Sequence, residues 1–206
     1  MEEVFEHEVY SKNVIEFVTV ANEYCHFIEN MRELEPLMFV EQAQRILPLL
    51  YLKASMLPSL ENMLDESMER FVTEGDYYQA QNNVVMLLGE DDNYTHMFDS
   101  TYKEGFEPES NSISENMADI YQNLKDFVMN YRNGITEIMN DALWECKMNF
   151  EEYWGSSITY AIQAIHFLKF KKQDWNNQDV APQPKEYKKK RSFFNDRQDD
   201  INSELE

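Results

Sequence analysis

Glu23-Tyr24-Cys25-His26 spells Glu-x-x-His. Helical bundles use this half-motif to hold paired metal ions, when two such helices and two further glutamates face inward. No second copy exists: Val4, Asn93 and Gln163 stand three residues before His7, His96 and His166. At about 100° per residue, Glu23 and His26 also point roughly 150° away from the apolar stripe between Val14 and Met31, so both are expected in solvent. No metal and no other cofactor is implied. His166 falls about 100° from the core stripe of its own helix, a boundary position where a single structural hydrogen bond is the usual role. Acid pairs are so frequent that none stands out as a general acid and base, and Asp119 and Asp126 are expected as solvated charges. Glycine-rich phosphate loops, Gly-x-Ser-x-Gly elbows and Cys/His zinc spacings are missing. Glu90-Asp91-Asp92-Asn93 lacks the spacing and the glycine of a calcium loop. Cys25 and Cys146 form no Cys-x-x-Cys pair and read as buried thiols on apolar stripes.

The elements that would carry these residues are helices. Val14, Phe17, Val18, Ala21, Tyr24, Cys25, Ile28 and Met31 recur every three or four positions, predicting a helix from Ser11 to about Leu34. A second runs from Pro36 to about Leu57, with Leu37, Val40, Ile46, Leu47, Leu49 and Leu50 inward and a kink or break at Pro48. A third, about 59–74, ends at Gly75; a fourth, about 77–88, starts after Asp76 and ends at Gly89. Residues 90–111 read as a short helix and a long connection. Ser112-Ile113-Ser114-Glu115 is a capping box opening a helix with Met117, Ile120, Tyr121, Leu124, Phe127, Val128 and Tyr131 on one side. Asn133-Gly134 ends it.

The next helix, about 135–154, carries Ile135, Ile138, Met139, Ala142, Leu143, Cys146, Phe150 and Tyr153, and Gly155 separates it from a last one, about 156–170. Trp154 reads as core, whereas Trp144 lies opposite its stripe and packs on a second neighbour or lines a groove. The last helix is apolar nearly all round: Ile158, Ala161, Ile162, Ile165 and Leu168 on one side, Tyr160, Phe167 and Phe170 on the other. Such a helix is central to a bundle or covered by a partner.

Five glycines in 206 residues disfavour a sheet, and the expected fold is all-α: one helical domain over 1–171, six to seven helices, and a flexible tail over 172–206. Residues 1–171 hold 11 cations against 31 acids, a net of −20, and the tail is close to neutral. That excess disfavours nucleic-acid backbones and anionic lipid, so the basic run Lys188-Lys189-Lys190-Arg191 is expected to fold back on the acidic body rather than bind nucleic acid. The acidic start Met1-Glu2-Glu3-Val4 and the lack of any apolar run near 18 residues predict neither secretory leader nor membrane span, hence a cytoplasmic setting.

Leu47-Pro48-Leu49-Leu50-Tyr51 with Ala54 and Leu57-Pro58 resembles the second-helix pattern of a bacterial all-helical family known only as a domain of unknown function. Leu88-Gly89 followed by Asp92, Tyr94 and Met97-Phe98-Asp99 is similar to its central motif, and Asp119-Ile120-Tyr121-Gln122-Asn123-Leu124 to a third. Phe150, Trp154-Gly155 and Ala164-Ile165-His166 complete the likeness over about residues 11–168. Tyr153 and Ser157 stand where that pattern often has histidines, and Ser100 where it has proline. The resemblance implies an all-α cytoplasmic domain and supplies no activity; a histidine-based activity in the family would be impaired here. The expected function is protein–protein contact without catalysis, through a partner or self-association. The alternative is a hydrolase or metal-dependent enzyme with an interhelical pocket near Tyr94, Asp99, Trp154 and His166. Trp144 joins these four as a candidate binding residue.

Overall fold

The computed structural model describes residues 7–64, 67–95 and 110–171. Among them run six α-helices: α1 (Lys12–Asn30), α2 (Pro36–Ser55), α3 (Glu74–Leu88), α4 (Ile113–Tyr131), α5 (Thr136–Asn149) and α6 (Gly155–Lys171). The fold is all-α, as expected, apart from a three-residue hairpin. Its strands, β1 (Asn93–Thr95) and β2 (Ser110–Ser112), pair antiparallel with Asn93 opposite Ser112. Among the described residues no helix is long and apolar enough to cross a membrane. Asp99 and the tail from residue 172 lie outside the described residues.

The stripe on α1 is buried as its spacing demands, from Val14 and Phe17 to Ile28, and Met31 is buried just beyond it. Glu23 and His26 are exposed, as expected. The centre of the bundle is α4, not α6. It packs against α1, α3, α5 and α6, so residues on several of its sides are buried, including Ile113, Met117, Ala118, Leu124 and Phe127. Ser112 caps it by accepting the Glu115 N–H at 3.2 Å. On α6 only one side is covered: Ile158, Ala161 and Ile165 are buried, while Phe167 and Phe170 stand out.

Several local expectations give way to tertiary structure. α2 continues unbroken through Pro48, whose exposed ring leaves the buried side intact. Leu49, expected in the core, is 43% exposed, because the buried face runs through Phe39, Ala43, Leu47, Leu50 and Ala54. The expected helix over 59–74 does not form: residues 57–64 and 67–73 are irregular. α3 begins earlier than expected. Thr73 caps it and Asp76 reciprocates, so Gly75 lies in the first turn instead of ending a helix.

Gly155 does not separate two helices either. α5 runs through a single π-helical turn, Phe150–Trp154, directly into α6. Gly155 has an ordinary helical φ of −62°. What it needs is space, since a Cβ there would collide with the Phe150 carbonyl oxygen and lie 3.1 Å from the Phe150 ring.

Candidate functional site

The buried acids are the first place to look for chemistry, and each is already occupied. Asp141 on α5 accepts the N–H groups of Met63 and Leu64 at 2.7 and 2.6 Å, while Asn140 donates to the Glu61 carbonyl at 2.8 Å. Asp126 on α4 accepts the N–H groups of Phe71 and Val72 at 2.7 and 2.9 Å, while Asn130 donates to the Glu69 carbonyl at 2.9 Å. The two grips are the same. In each, an amide takes one carbonyl and a carboxylate takes the N–H groups two and three residues later, and the second grip repeats the first eight residues on. Backbone without a helix must place its polar groups somewhere, and here α4 and α5 receive them. This overturns the expectation that Asp126 is solvated; it is 4% exposed.

Asp92 does similar work at the hairpin, accepting the Ser114 N–H and hydroxyl at 2.7 and 2.6 Å. Over the second grip, Arg70 bridges Glu145 at 2.5 Å and Asp126 at 3.8 Å. The cavity beneath it, lined by Asn123, Phe127 and Cys146 among others, measures about 10 Å³, room for at most one water. Burial pushes the Cys25 thiol up to about 12 and raises Cys146 well above the usual thiol range, so neither supplies a thiolate nucleophile at neutral pH.

A different group forms at the surface around Asp119. Tyr77 on α3 donates its hydroxyl to Asp119 Oδ1 at 2.8 Å. The π turn brings Tyr153 to the same carboxylate, and its ring remains 50% exposed. Burial, then the neighbouring Asp119 carboxylate, push both phenols well above their usual range, so both remain protonated. Tyr78 stands edge-on to Tyr77, with ring centres 5.9 Å apart. Asp119 is half-buried and bonded, not freely solvated as expected.

Among the described residues, Tyr94, Trp144, Trp154 and His166 are spread over separate parts of the bundle. Trp154 is fully buried and donates its indole N–H to the Cys146 carbonyl at 3.1 Å, as a core residue does. His166 is exposed, twelve residues or about 18 Å along α6 at 1.5 Å per residue, with its ring 4.7 Å from that of Phe170. Trp144 is half-buried on α5. Only Tyr94 borders the Asp119 group: it pairs with Asn116, and Tyr160 and Glu115 both act on its phenol. Among the described residues no three His, Cys, Asp or Glu side chains gather closely enough to hold a metal ion.

Tyr77 carries no sequence motif, and Tyr153 is marked only as a departure from the family pattern. Tyr77 meets Asp119 through the packing of α3 on α4, and Tyr153 does so only through the π turn.

Outward apolar residues form the other candidate surface. The Lys53–Glu16 ion pair, 2.6 Å, sets the end of α2 beside the start of α1. Around it Ile15, Leu49, Leu52 and Met56 are 52, 43, 53 and 44% exposed.

Helices packed around a central α4, with one hairpin and a long irregular segment held by buried carboxylates, define the class: an all-α helical bundle. Residues 8–171 match the family model described as a domain of unknown function, DUF5063, and the chain belongs to that family. It is similar to the crystal structure of protein BF1032 from Bacteroides fragilis. The two are 38% identical, with a TM-score of 0.72 over 87% of this chain and 100% of that one. Comparison with curated proteins gives no significant match.

Proposed function

We propose that this chain is a non-enzymatic cytoplasmic module that works by contact with another protein. One observation carries the reading: Ile15, Leu49, Leu52 and Met56 turn outward together where α1 and α2 meet. Single exposed apolar residues are ordinary, but a group of them marks an interaction surface. Fully burying one such side chain contributes about 1.5–3 kcal/mol, so four can anchor an interface. The spent interior acids and the water-sized cavity agree with a role at the surface.

Charge substitution tests it. Leu49→Glu/Leu52→Glu replaces side chains that already face water, so melting should move little. With the full chain as bait in native lysate, the wild type should retain one protein, or a second copy of itself, in stoichiometric amount, and the variant should lose it. Retention by neither, or equally by both, overturns the reading.

A further inference from the structure

The geometry points to a second docking site, for an arginine side chain of a protein partner, centred on Asp119 between Tyr77 and Tyr153. It stands on other residues than the α1–α2 surface and does not depend on it.

The molecule contains a completed version of the same arrangement. Also on α4, the Tyr121 hydroxyl donates to Glu29 Oε1 at 3.0 Å, and the Lys125 ammonium meets that same oxygen at 2.6 Å. Phenol, carboxylate and cation form a closed set. At Asp119 the Tyr77 hydroxyl donates and Tyr153 stands beside it, and among the described residues there is no cation. Among the described residues no Lys, Arg or His nitrogen lies within 4 Å of Asp119 or of its exposed neighbour Glu115, whereas Glu16, Glu29, Glu41, Asp126, Glu145 and Glu151 each have one.

Lone-pair counting gives the same answer. A carboxylate accepts at about four positions, and the Tyr77 hydroxyl fills one of them, with Tyr153 placed to approach another. Asp119 is half-buried, so the remainder is within reach of a ligand at the surface. Tyr78 and Tyr153 are 51 and 50% exposed, so each leaves ring surface in reach of a flat cation. A guanidinium suits both demands at once, stacking its plane on a phenol ring while its fork meets the carboxylate. An ammonium satisfies only the carboxylate. Because both phenols stay protonated, they hold Asp119 in place without adding charge, and the local field comes from Asp119 and Glu115.

The test uses the full chain with ¹³C-labelled tyrosine rings, at low salt, titrated with acetyl-Gly-Arg-Gly-amide and with the lysine and glutamine analogues. The arginine peptide should shift the Tyr77, Tyr78 and Tyr153 rings saturably, the lysine peptide should bind several-fold more weakly, and the glutamine peptide should not bind. Asp119→Asn keeps an acceptor for Tyr77 and removes the charge, so affinity should fall about tenfold, as for loss of one charge-assisted pair. Glu29→Gln, which removes one charge elsewhere, should leave it unchanged. Equal binding of the lysine peptide overturns the arginine assignment. Shifts spread over Tyr10, Tyr51 and Tyr131 as well, or equal effects of the two substitutions, reduce the site to the protein's general negative field and overturn the proposal. Repeating the titration on Leu49→Glu/Leu52→Glu should give the same shifts, which keeps this result separate from the fate of the α1–α2 surface.

Discussion

Asp141 is 2% exposed and, among the described residues, has no cation partner; the N–H groups of Met63 and Leu64 and the Asn140 amide surround its two oxygens. A carboxylate this deep is tolerable only when donors replace the water it has lost. Its removal strands two N–H groups at once, at about 1–3 kcal/mol each. Asp141→Ala should therefore cost about 2–5 kcal/mol in urea unfolding, and Asp141→Asn, which keeps one acceptor oxygen, distinctly less. Equal losses for the two would mean that the side chain only fills space. Sequence offered little warning of this role. Position relative to an apolar stripe sorts residues correctly only on a helix with one covered side. Around α4 the covered sides include the one bearing Asp126, so facing away from the stripe does not mean facing water.

At the scale of elements, periodicity located most of the helices and misjudged their joints. α1, α2 and α4 lie within a few residues of their expected bounds because each has a stripe and a start or stop that physical chemistry enforces. The segment 59–74 has no lack of helix-forming residues, yet the N–H groups of Met63, Leu64, Phe71 and Val72 go to Asp141 and Asp126. A tertiary partner outweighs a propensity worth tenths of a kcal/mol per residue. Gly155 misled for a related reason. A glycine after a helix usually supplies a left-handed cap, as Gly134 does after α4 with φ of +79°. Gly155 is instead a point of close approach, within a helix that keeps going through the π turn. Gly155→Ala should thus destabilise by about 1–3 kcal/mol, the usual range for overpacking, and should separate Tyr153 from Asp119. Thermal melting checks the first effect, and loss of the Tyr153 ring shift with arginine peptide the second. Full stability in the alanine variant would show that the turn can relax at no cost.

At the scale of the molecule, acidity was the most conspicuous feature of the sequence and the least informative about chemistry. A net charge of −21 sets a long-range negative field around the molecule, but the acids that matter structurally are a few uncharacteristic ones buried against backbone. Fold class was legible because apolar spacing constrains each helix separately. The Asp119 group was not, because Tyr77, Asp119 and Tyr153 come from α3, α4 and the π turn, and only three-dimensional packing unites them. The proposed contact surfaces presuppose that the interior carboxylates Asp126 and Asp141 are engaged in holding the chain. Hydrogen exchange at Met63, Leu64, Phe71 and Val72 tests it most directly. These four amides belong to no helix or strand, yet they should exchange slowly, at rates close to those of core helical amides, and Asp126→Asn should speed the pair at 71 and 72 selectively. Exchange at the rate of an unstructured peptide would contradict the account, because the buried acids would then be free for other chemistry.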